Sequence, residues 1–258
     1  MSTDQEWEKW GKVDPYFAVI TNAKFRAENL TQEAKEEFFE FGKDHVSHVL
    51  EVCRQHLDQG FTPKRALDFG CGTGRIVMPL AEIAEHVVGL DVSNSMLDEA
   101  CKNCEERSIS NVSFLKSDDN LFSLDGCFDF IHSALVFQHI APSRGKLILM
   151  NLLKHLENGG IGAMQFTYAK TKYEKSYGLE TSGERLLNPL KKLVKAFLRV
   201  LPHRDPEMQM NLYNLNELLF LIQSTGICNF YVEYTDHEGQ LGVFLFFQKF
   251  RKVKETNA

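Results

Sequence analysis

Cysteine is scarce, with six residues in a chain of 258. That density is too low for a small scaffold stapled by disulfides, and reduced thiols are expected. Long apolar runs are missing too, since no stretch approaches the roughly 18 residues that mark a membrane-spanning helix. The first ten residues, M-S-T-D-Q-E-W-E-K-W, are acidic and hold no apolar core of signal-peptide length. A cytoplasmic location with no membrane partner is the expectation. Positive charge is not in excess: the formal net charge is -6, which opposes broad attraction to nucleic acid or anionic lipid. Metal-ligand spacings such as H-E-x-x-H, H-x-x-E-H or a doubled C-x-x-C do not occur, so no metal is expected. Cys101 and Cys104 form the one C-x-x-C, read as two small side chains a helical turn apart. Repeats and low-complexity segments are absent. What remains, 43% hydrophobic and 25% charged residues, is the composition of a folded globular protein.

Residues 1–63 read as a helical amino-terminal extension. Thr31 is a plausible cap, and Phe39, Val46, Val49, Leu50, Cys53 and Leu57 recur at mostly three- and four-residue intervals. His45 and His48 lie beside that stripe, and without a third ligand they read as ordinary helix-surface histidines. From Arg65 the pattern changes to short apolar runs alternating with helical segments, the signature of a parallel sheet wrapped by crossover helices. Residues 64–258 are therefore expected to form the main domain. Its strands are predicted over 66–69, 86–91, 112–115, 128–133 and 161–166. The helix after the fourth strand is expected from a cap at Ser143 to Leu156, stopped by E-N-G-G. An insertion over 167–212 interrupts the alternation, then a helix capped at Asn214 leads to an antiparallel hairpin near 228–234 and 241–250. Within the insertion, Asn188 and Pro189 open a basic amphipathic helix over 189–201. It reads as a lid or a docked helix, a position on an anionic membrane being the remaining option.

The sharpest signal is A-L-D-F-G-C-G-T-G-R, residues 66–75. It joins the first strand to a helix through Gly70, Gly72 and Gly74, which allow close approach of a ligand to backbone N–H groups. The dinucleotide fingerprint G-x-G-x-x-G is not met, because Gly74 arrives one residue early, and no G-K-[ST] follows. Asp68, two residues before Gly70, disfavours a pyrophosphate and suits an ammonium or another cation. Asp91 ends the second strand, and Asp118 and Asp119 follow the third. Acids at three successive strand ends gather at the carboxyl edge of the sheet, where ligands bind in such folds.

An acid followed by G-x-G-x-G, with further acids after strands two and three, resembles the class I S-adenosylmethionine-dependent methyltransferases. The resemblance implies a three-layer Rossmann-like α/β sandwich whose mostly parallel seven-stranded sheet carries an antiparallel terminal strand. It implies that Gly70, Gly72 and Gly74, with Cys71 and Thr73 of the same loop, cradle the methionine end. Asp68 would hold its ammonium, Asp91 with Val92 the ribose, and Asp118 or its neighbour Asp119 the adenine amine. Met96 would pack on the adenine face, and Ser133, Ala134 and Leu135 would touch the cofactor. Gln138 and His139 would face the acceptor, with His139 the candidate general base because imidazole titrates near neutral pH. The alternative is that His139 only packs against the amino-terminal helices. The aromatics Trp7, Trp10, Tyr16 and Phe17 of the extension and Tyr168, Tyr173 and Tyr177 of the insertion can wall an acceptor pocket, with Trp10, Tyr16 and Tyr168 the named candidates and burial of a terminal arm the other reading.

The implied function is methyl transfer from S-adenosylmethionine, yielding S-adenosylhomocysteine, by O- or N-methylation of a small molecule. A sugar-like or other polar metabolite is preferred because a histidine just past strand four suits a hydroxyl nucleophile. The rivals are a nicotinamide-dependent oxidoreductase, which the glycine spacing opposes, and a non-catalytic cofactor-binding module.

Overall fold

The apolar runs form strands close to where they are predicted. The computed structural model of the chain describes residues 2–180 and 205–250, so the basic segment 189–201 lies outside the described residues. Strands β1 (Arg65–Phe69), β2 (His86–Asp91), β3 (Val112–Lys116) and β4 (Phe128–Ser133) are followed by β5 (Leu156–Lys170), β6 (Asn229–His237) and β7 (Gln240–Gln248). They form one sheet in the order β3-β2-β1-β4-β5-β7-β6. Six strands share a direction, and β7 runs antiparallel to both its neighbours, β5 and β6. The chain winds outward through β2 and β3 on one side of β1, then crosses to β4 on the other. That reversal opens a crevice at the carboxyl ends of β1 and β4, the place where such sheets bind ligands.

Alternation along the central strands supplies two cores. Leu67, Phe69, Val88, Leu90 and Ile131 point to one face, where α6 (Pro142–His155) and α7 (Leu215–Ser224) contribute Ile148, Leu149, Leu152, Leu218 and Ile222. Ala66, Val87, Phe130, Ile161 and Ala163 point to the other, against Val46, Val49, Leu50 and Cys53 of α3 (Gln32–His56) and Val77 and Leu80 of α4 (Val77–Ala81). The result is the expected three-layer Rossmann-like arrangement. Covered on both faces, central strands carry apolar residues in succession rather than in alternation with polar ones. Helix α3 thus closes the sandwich, and Thr31 caps it by accepting the Ala34 N–H at 3.2 Å.

Helices α1 (Thr3–Val13) and α2 (Pro15–Val19) lie outside that sandwich, and α1 packs on α5 (Asn94–Glu106). Glu8 makes the join: its carboxylate accepts from Ser93 Oγ at 2.9 Å, Ser95 N at 3.2 Å and Ser95 Oγ at 2.8 Å, at the amino terminus of α5. A carboxylate there meets free N–H groups and the positive end of the helix dipole. Burial works against the charge, yet these hydrogen bonds and Lys12 hold the Glu8 carboxyl at about 2.

Three expectations are corrected. Helix α6 begins on Pro142 with Ala141 before it and no side-chain cap, so Ser143 lies inside the helix; Ala141 carries no side-chain acceptor, and proline suits the first helical position because the N–H it lacks would be unpaired there. Strand β5 begins at Leu156 and runs through E-N-G-G, its pairing with β4 shifting register between Phe128 and Phe130. It also continues to Lys170, so the break expected at 167 comes later, at a short 3-10 helix over Thr171–Ser176. Residues 205–213 then return as an irregular strap. The strap is tied to β5 by Tyr213 N donating to Thr167 O at 2.8 Å, and to α1 by Glu207 N donating to Glu6 Oε2 at 2.8 Å. Among the described residues no helix is long and apolar enough to cross a membrane.

Candidate functional site

The loop after β1 is shaped by three positive φ angles, +77° at Gly70, +52° at Gly72 and +85° at Gly74. At Gly70 the need for glycine is twofold, because a Cβ there would also lie 2.3 Å from Val136 Cγ2. Gly70 N and Cys71 N both donate to Leu90 O, at 2.7 and 2.9 Å, which lashes the loop to β2. Asp91 continues the lashing: Oδ2 accepts from Gly72 N and Oδ1 from Ser93 N, each at 2.9 Å. Burial pushes the Asp91 carboxyl up to about 6, opposed by those N–H groups and reinforced by the charge of Asp68.

These residues floor a cavity of about 920 Å³, a figure that includes space open to solvent. Asp68, Gly70, Cys71, Gly72, Asp91, Val92, Met96, Ala134, Leu135 and His139, all singled out by sequence, meet on its walls. The roof comes from Asp4 and Trp7 of α1, Ala18 and Val19 of α2, and Arg144 of α6. Arg144 bolts it shut, donating to both Asp4 oxygens at 2.6 and 2.9 Å and to Asp119 Oδ1 at 2.5 Å. The Cys71 thiol is buried, and that burial, with the charges of Asp91 and Asp68, raises it well above its usual range, so it is no nucleophile here.

Asp68 is held from behind. Its Oδ1 lies 2.7 Å from His132 Nδ1, and His132 Nε2 lies 2.9 Å from His45 Nε2. A carboxylate only accepts, so His132 donates from Nδ1, and its Nε2 shares a hydrogen bond with His45 Nε2. Burial pushes His45 down to about 2, and it is neutral. His45, read from sequence as a surface residue, is therefore part of the site's support. Its helical spacing gave no hint of a partner 87 residues away.

His139 lines the cavity with both nitrogens engaged. Nδ1 lies 2.7 Å from Gln209 O in the strap, and Nε2 lies 3.2 Å from Gln138 Nε2. Burial pushes it down to about 4, against the pull of the Gln209 carbonyl, so the ring is neutral and donates through Nδ1. Its other face meets Trp7 edge-on, with ring centroids 4.9 Å apart.

Several expected residues are elsewhere. Trp10 is buried beneath the roof against Phe17 and Met96, and it is Trp7, one helical turn earlier, that reaches the cavity. Tyr16 is core: its hydroxyl donates to Glu99 Oε1 at 2.6 Å and lies 2.9 Å from Asn103 Oδ1. Tyr168 packs against the α6 core cluster, and Gln138 accepts from Thr167 Oγ1 at 3.0 Å; neither lines the cavity. Thr73 is buried behind the loop, and Gly74 packs against Ala100. Ser133 Oγ donates to Phe69 O at 2.9 Å and so ties β4 to β1. Asp118 is exposed and closes its own turn, accepting from Asn120 N at 2.7 Å, while Asp119 is paired with Arg144. Ser117 takes the cavity position after β3. Asp4, Arg75 and Arg144 were missed; only Arg75, next to the glycine loop, carried a local signal. Among the described residues no cluster of three His, Cys, Asp or Glu side chains is placed to hold a metal.

The sheet order, the reversed β7, the positive-φ glycine loop and the acid after β2 together define the class I methyltransferase architecture, whose donor is S-adenosylmethionine. Residues 66–160 match the methyltransferase domain family. The ubiquinone biosynthesis O-methyltransferase of Rickettsia akari (strain Hartford) is 27% identical over 134 residues, 52% of this chain and 51% of that protein. The 23S rRNA (uracil(1939)-C(5))-methyltransferase RlmD of Vesicomyosocius okutanii subsp. Calyptogena okutanii (strain HA) is 37% identical over 54 residues, 21% of this chain and 12% of that protein. The chain thus aligns with about half the length of the first relative and far less of the second. Among solved structures, magnesium protoporphyrin IX methyltransferase from Synechocystis PCC 6803 with bound SAM superimposes with a TM-score of 0.61 at 13% identity, covering 96% of this chain and 98% of that one. At that identity the likeness is one of fold.

The residues present fit the donor. Gly70, Gly72 and Asp91 line the cavity with Asp68, so the loop's backbone and two carboxylates face one space, and Arg75 brings a buried Nε with no partner.

Proposed function

We propose that the protein transfers a methyl group from S-adenosylmethionine to a hydroxyl or amine of a small molecule with an apolar body. The roof carries this reading: α1, α2 and Arg144 close over the glycine loop, so an acceptor has to fit beneath them. A folded nucleic acid or protein does not pass under such a cover, and the net charge of -6 opposes the former. The sequence preference for a sugar-like acceptor rested on His139 as base. With both nitrogens engaged, His139 supports a different choice, since Trp7, Ala18, Val19, Ile140 and Ile148 offer apolar area and few polar partners.

In the bound state the donor's sulfonium supplies the methyl group and departs as a neutral thioether. The chain's own work is alignment. Asp68, fixed by His132, meets the donor ammonium; Asp91, fixed by Gly72 and Ser93, meets the ribose hydroxyls. His139 is locked between Gln209 O and Gln138, presses on Trp7 and shapes the acceptor wall. With no side chain among the described residues placed to take it, the acceptor's proton would pass to water, and the roof and the His139 wall would hold the acceptor in line with the methyl group. Holding the two centres in line accounts for the rate gain without a dedicated base.

Calorimetric titration with S-adenosylhomocysteine, with NAD as control, tests the donor half. Micromolar binding that Asp91→Ala largely removes is expected, whereas NAD binding, or no binding of the sulfur ligand, overturns it. A panel of phenols and amines, read by release of S-adenosylhomocysteine, tests the acceptor half. Tight donor binding with no turnover on any member would favour the non-catalytic module.

A further inference from the structure

Gln165 of β5 does not line the cavity, yet a hydrogen bond ties it to the cavity wall. It follows Ile161 and Ala163 on the face of the sheet that α3 covers, and it is 5% exposed. A buried amide is costly unless both its ends are bonded, and here both are. Oε1 accepts the Leu135 N–H at 3.0 Å, while Nε2 lies 3.3 Å from Thr235 Oγ1 and 2.7 Å from His237 Nε2. Because the Leu135 N–H can only donate, the carbonyl end of the amide faces the turn after β4. Its NH2 end therefore faces β6, where Thr235 Oγ1 and His237 Nε2 receive it. Strand β7 stands between β5 and β6, and the side chain reaches across it at Gly242. A Cβ at Gly242 would stand 2.5 Å from Thr235 Oγ1, so only glycine leaves the passage open.

The amide holds a strained turn. Leu135 leaves β4 with a φ of +62°, in the left-handed region that a leucine rarely adopts. Such a conformation persists only where its surroundings impose it. Ser133 Oγ pins the chain before it to Phe69 O at 2.9 Å, and His139 N donates to Val136 O at 2.9 Å after it. Between these anchors the Leu135 N–H is held by Gln165. Leu135 and Val136 both line the cavity, so rotation of the peptide between Ala134 and Leu135 would shift the wall that they form with His139. We propose that Gln165 is a positioning residue for methyl transfer: it keeps Leu135 left-handed and so sets the wall against which the acceptor meets the methyl group. This rests on the methyl-transfer reading above and adds to it a device outside the cavity. The device runs from the edge strand β6 across β7 to the turn after β4, and none of Gln165, Thr235 and His237 lines the cavity itself.

The test compares Gln165→Met, which keeps the shape and removes both ends of the amide, with Gln165→Glu, which keeps an acceptor for the Leu135 N–H. Three quantities are read on each: hydrogen exchange of the peptide spanning residues 134–137, calorimetric affinity for S-adenosylhomocysteine, and kcat and KM for the phenol or amine of the panel that wild-type protein methylates fastest. In Gln165→Met, exchange should quicken by about tenfold, the span of one hydrogen bond. Its kcat should fall by about tenfold to a hundredfold, as expected when reacting centres lose their alignment. Affinity for S-adenosylhomocysteine, set by the glycine loop and Asp91, should change little. Gln165→Glu should recover slow exchange and most of kcat, a rescue that mere filling of space does not give. If Gln165→Met does not fold, His237→Leu at its exposed position takes its place, and exchange and kcat should move in the same directions by a smaller factor. Wild-type kcat in the variant that folds overturns the proposal, as does a loss of kcat without faster exchange at 134–137. So does a Gln165→Glu protein as impaired as Gln165→Met. Wild-type protein that binds no S-adenosylhomocysteine or methylates no member of the panel overturns the methyl-transfer reading itself, an outcome distinct from an active wild type that its variants match.

Discussion

Replacing Glu8 by glutamine should loosen the roof of the cavity, and the size of the effect follows from the bonds that Glu8 makes. Its carboxylate gathers two serine hydroxyls, one backbone N–H and, at 3.2 Å, Lys12 Nζ. Burial raises the carboxyl and the bonds more than offset it, leaving it at about 2 where 4.5 is ordinary. By linkage that depression corresponds to about 3 kcal/mol. Because 29% of the side chain remains in water, screening reduces the expected contribution to about 1–2 kcal/mol. For a chain of this size the melting temperature should fall by about 2–8 °C. The sign with pH is fixed by the direction of the shift. A depressed carboxyl contributes fully above its unfolded value of 4.5 and loses that contribution as pH falls towards about 2. The assay is built in, since Trp7 and Trp10 are the two tryptophans of the chain and both lie on α1. Tryptophan emission and acrylamide quenching therefore report on the arm directly. Wild type and Glu8→Gln should differ most at pH 7 and converge as the pH drops below 4.5. A gap that is absent at pH 7, or as large at pH 3 as at pH 7, refutes the reasoning.

Other expectations follow from the same geometry. Affinity for S-adenosylhomocysteine should fall as pH drops through about 6, where the raised Asp91 carboxyl takes up a proton and loses an acceptor for the ribose; Asp91→Ala should flatten that dependence in calorimetry. Gly70→Ala places a Cβ 2.3 Å from Val136 at a φ of +77°, so a stability loss of about 1–3 kcal/mol in urea unfolding and loss of donor binding are expected together. His139→Ala should raise KM for the acceptor and lower kcat less than about tenfold, with an unchanged kcat–pH profile; a loss of a hundredfold or more would mark it as the base. Arg144→Ala unbolts Asp4 from Asp119, and quenching of Trp7 should rise while the melting temperature changes by only a few degrees.

The strands of the donor half were legible because buried parallel strands announce themselves as apolar runs, and β1, β2 and β4 lie within a residue of their predicted bounds. The glycine loop and Asp91 were legible because backbone conformation and a short-range spacing both leave local marks. Residues whose role depends on a distant partner were not. Asp4 and Arg144 are 140 positions apart and His45 and His132 87, and no periodicity within either segment encodes such a meeting. Trp7 and Trp10 share an amphipathic stretch, yet choosing which one faces the cavity required knowing where α1 rests on α5. The acids expected after β3 follow the strand as predicted but do not line the cavity, because Asp118 closes its own turn and Asp119 answers Arg144.

The insertion of β7 between β5 and β6 bears on the order in which the molecule can be assembled. The glycine loop, Asp91 and the β4 turn all lie before residue 140, and each strand that carries them pairs with others already made. A nascent chain can therefore form the floor of the cavity early. Strand β5, however, keeps one hydrogen-bonding edge open until β7 arrives about 70 residues later, with β6 waiting beside it. The strap at 205–213 that locks His139 belongs to this late phase as well. Long-range pairing of that kind is slow and leaves an unpaired edge exposed in the meantime. A ribosome-bound intermediate should thus hold a nearly finished donor floor next to an open, aggregation-prone sheet edge, and lesions in β7 should lower yield before they touch the loop.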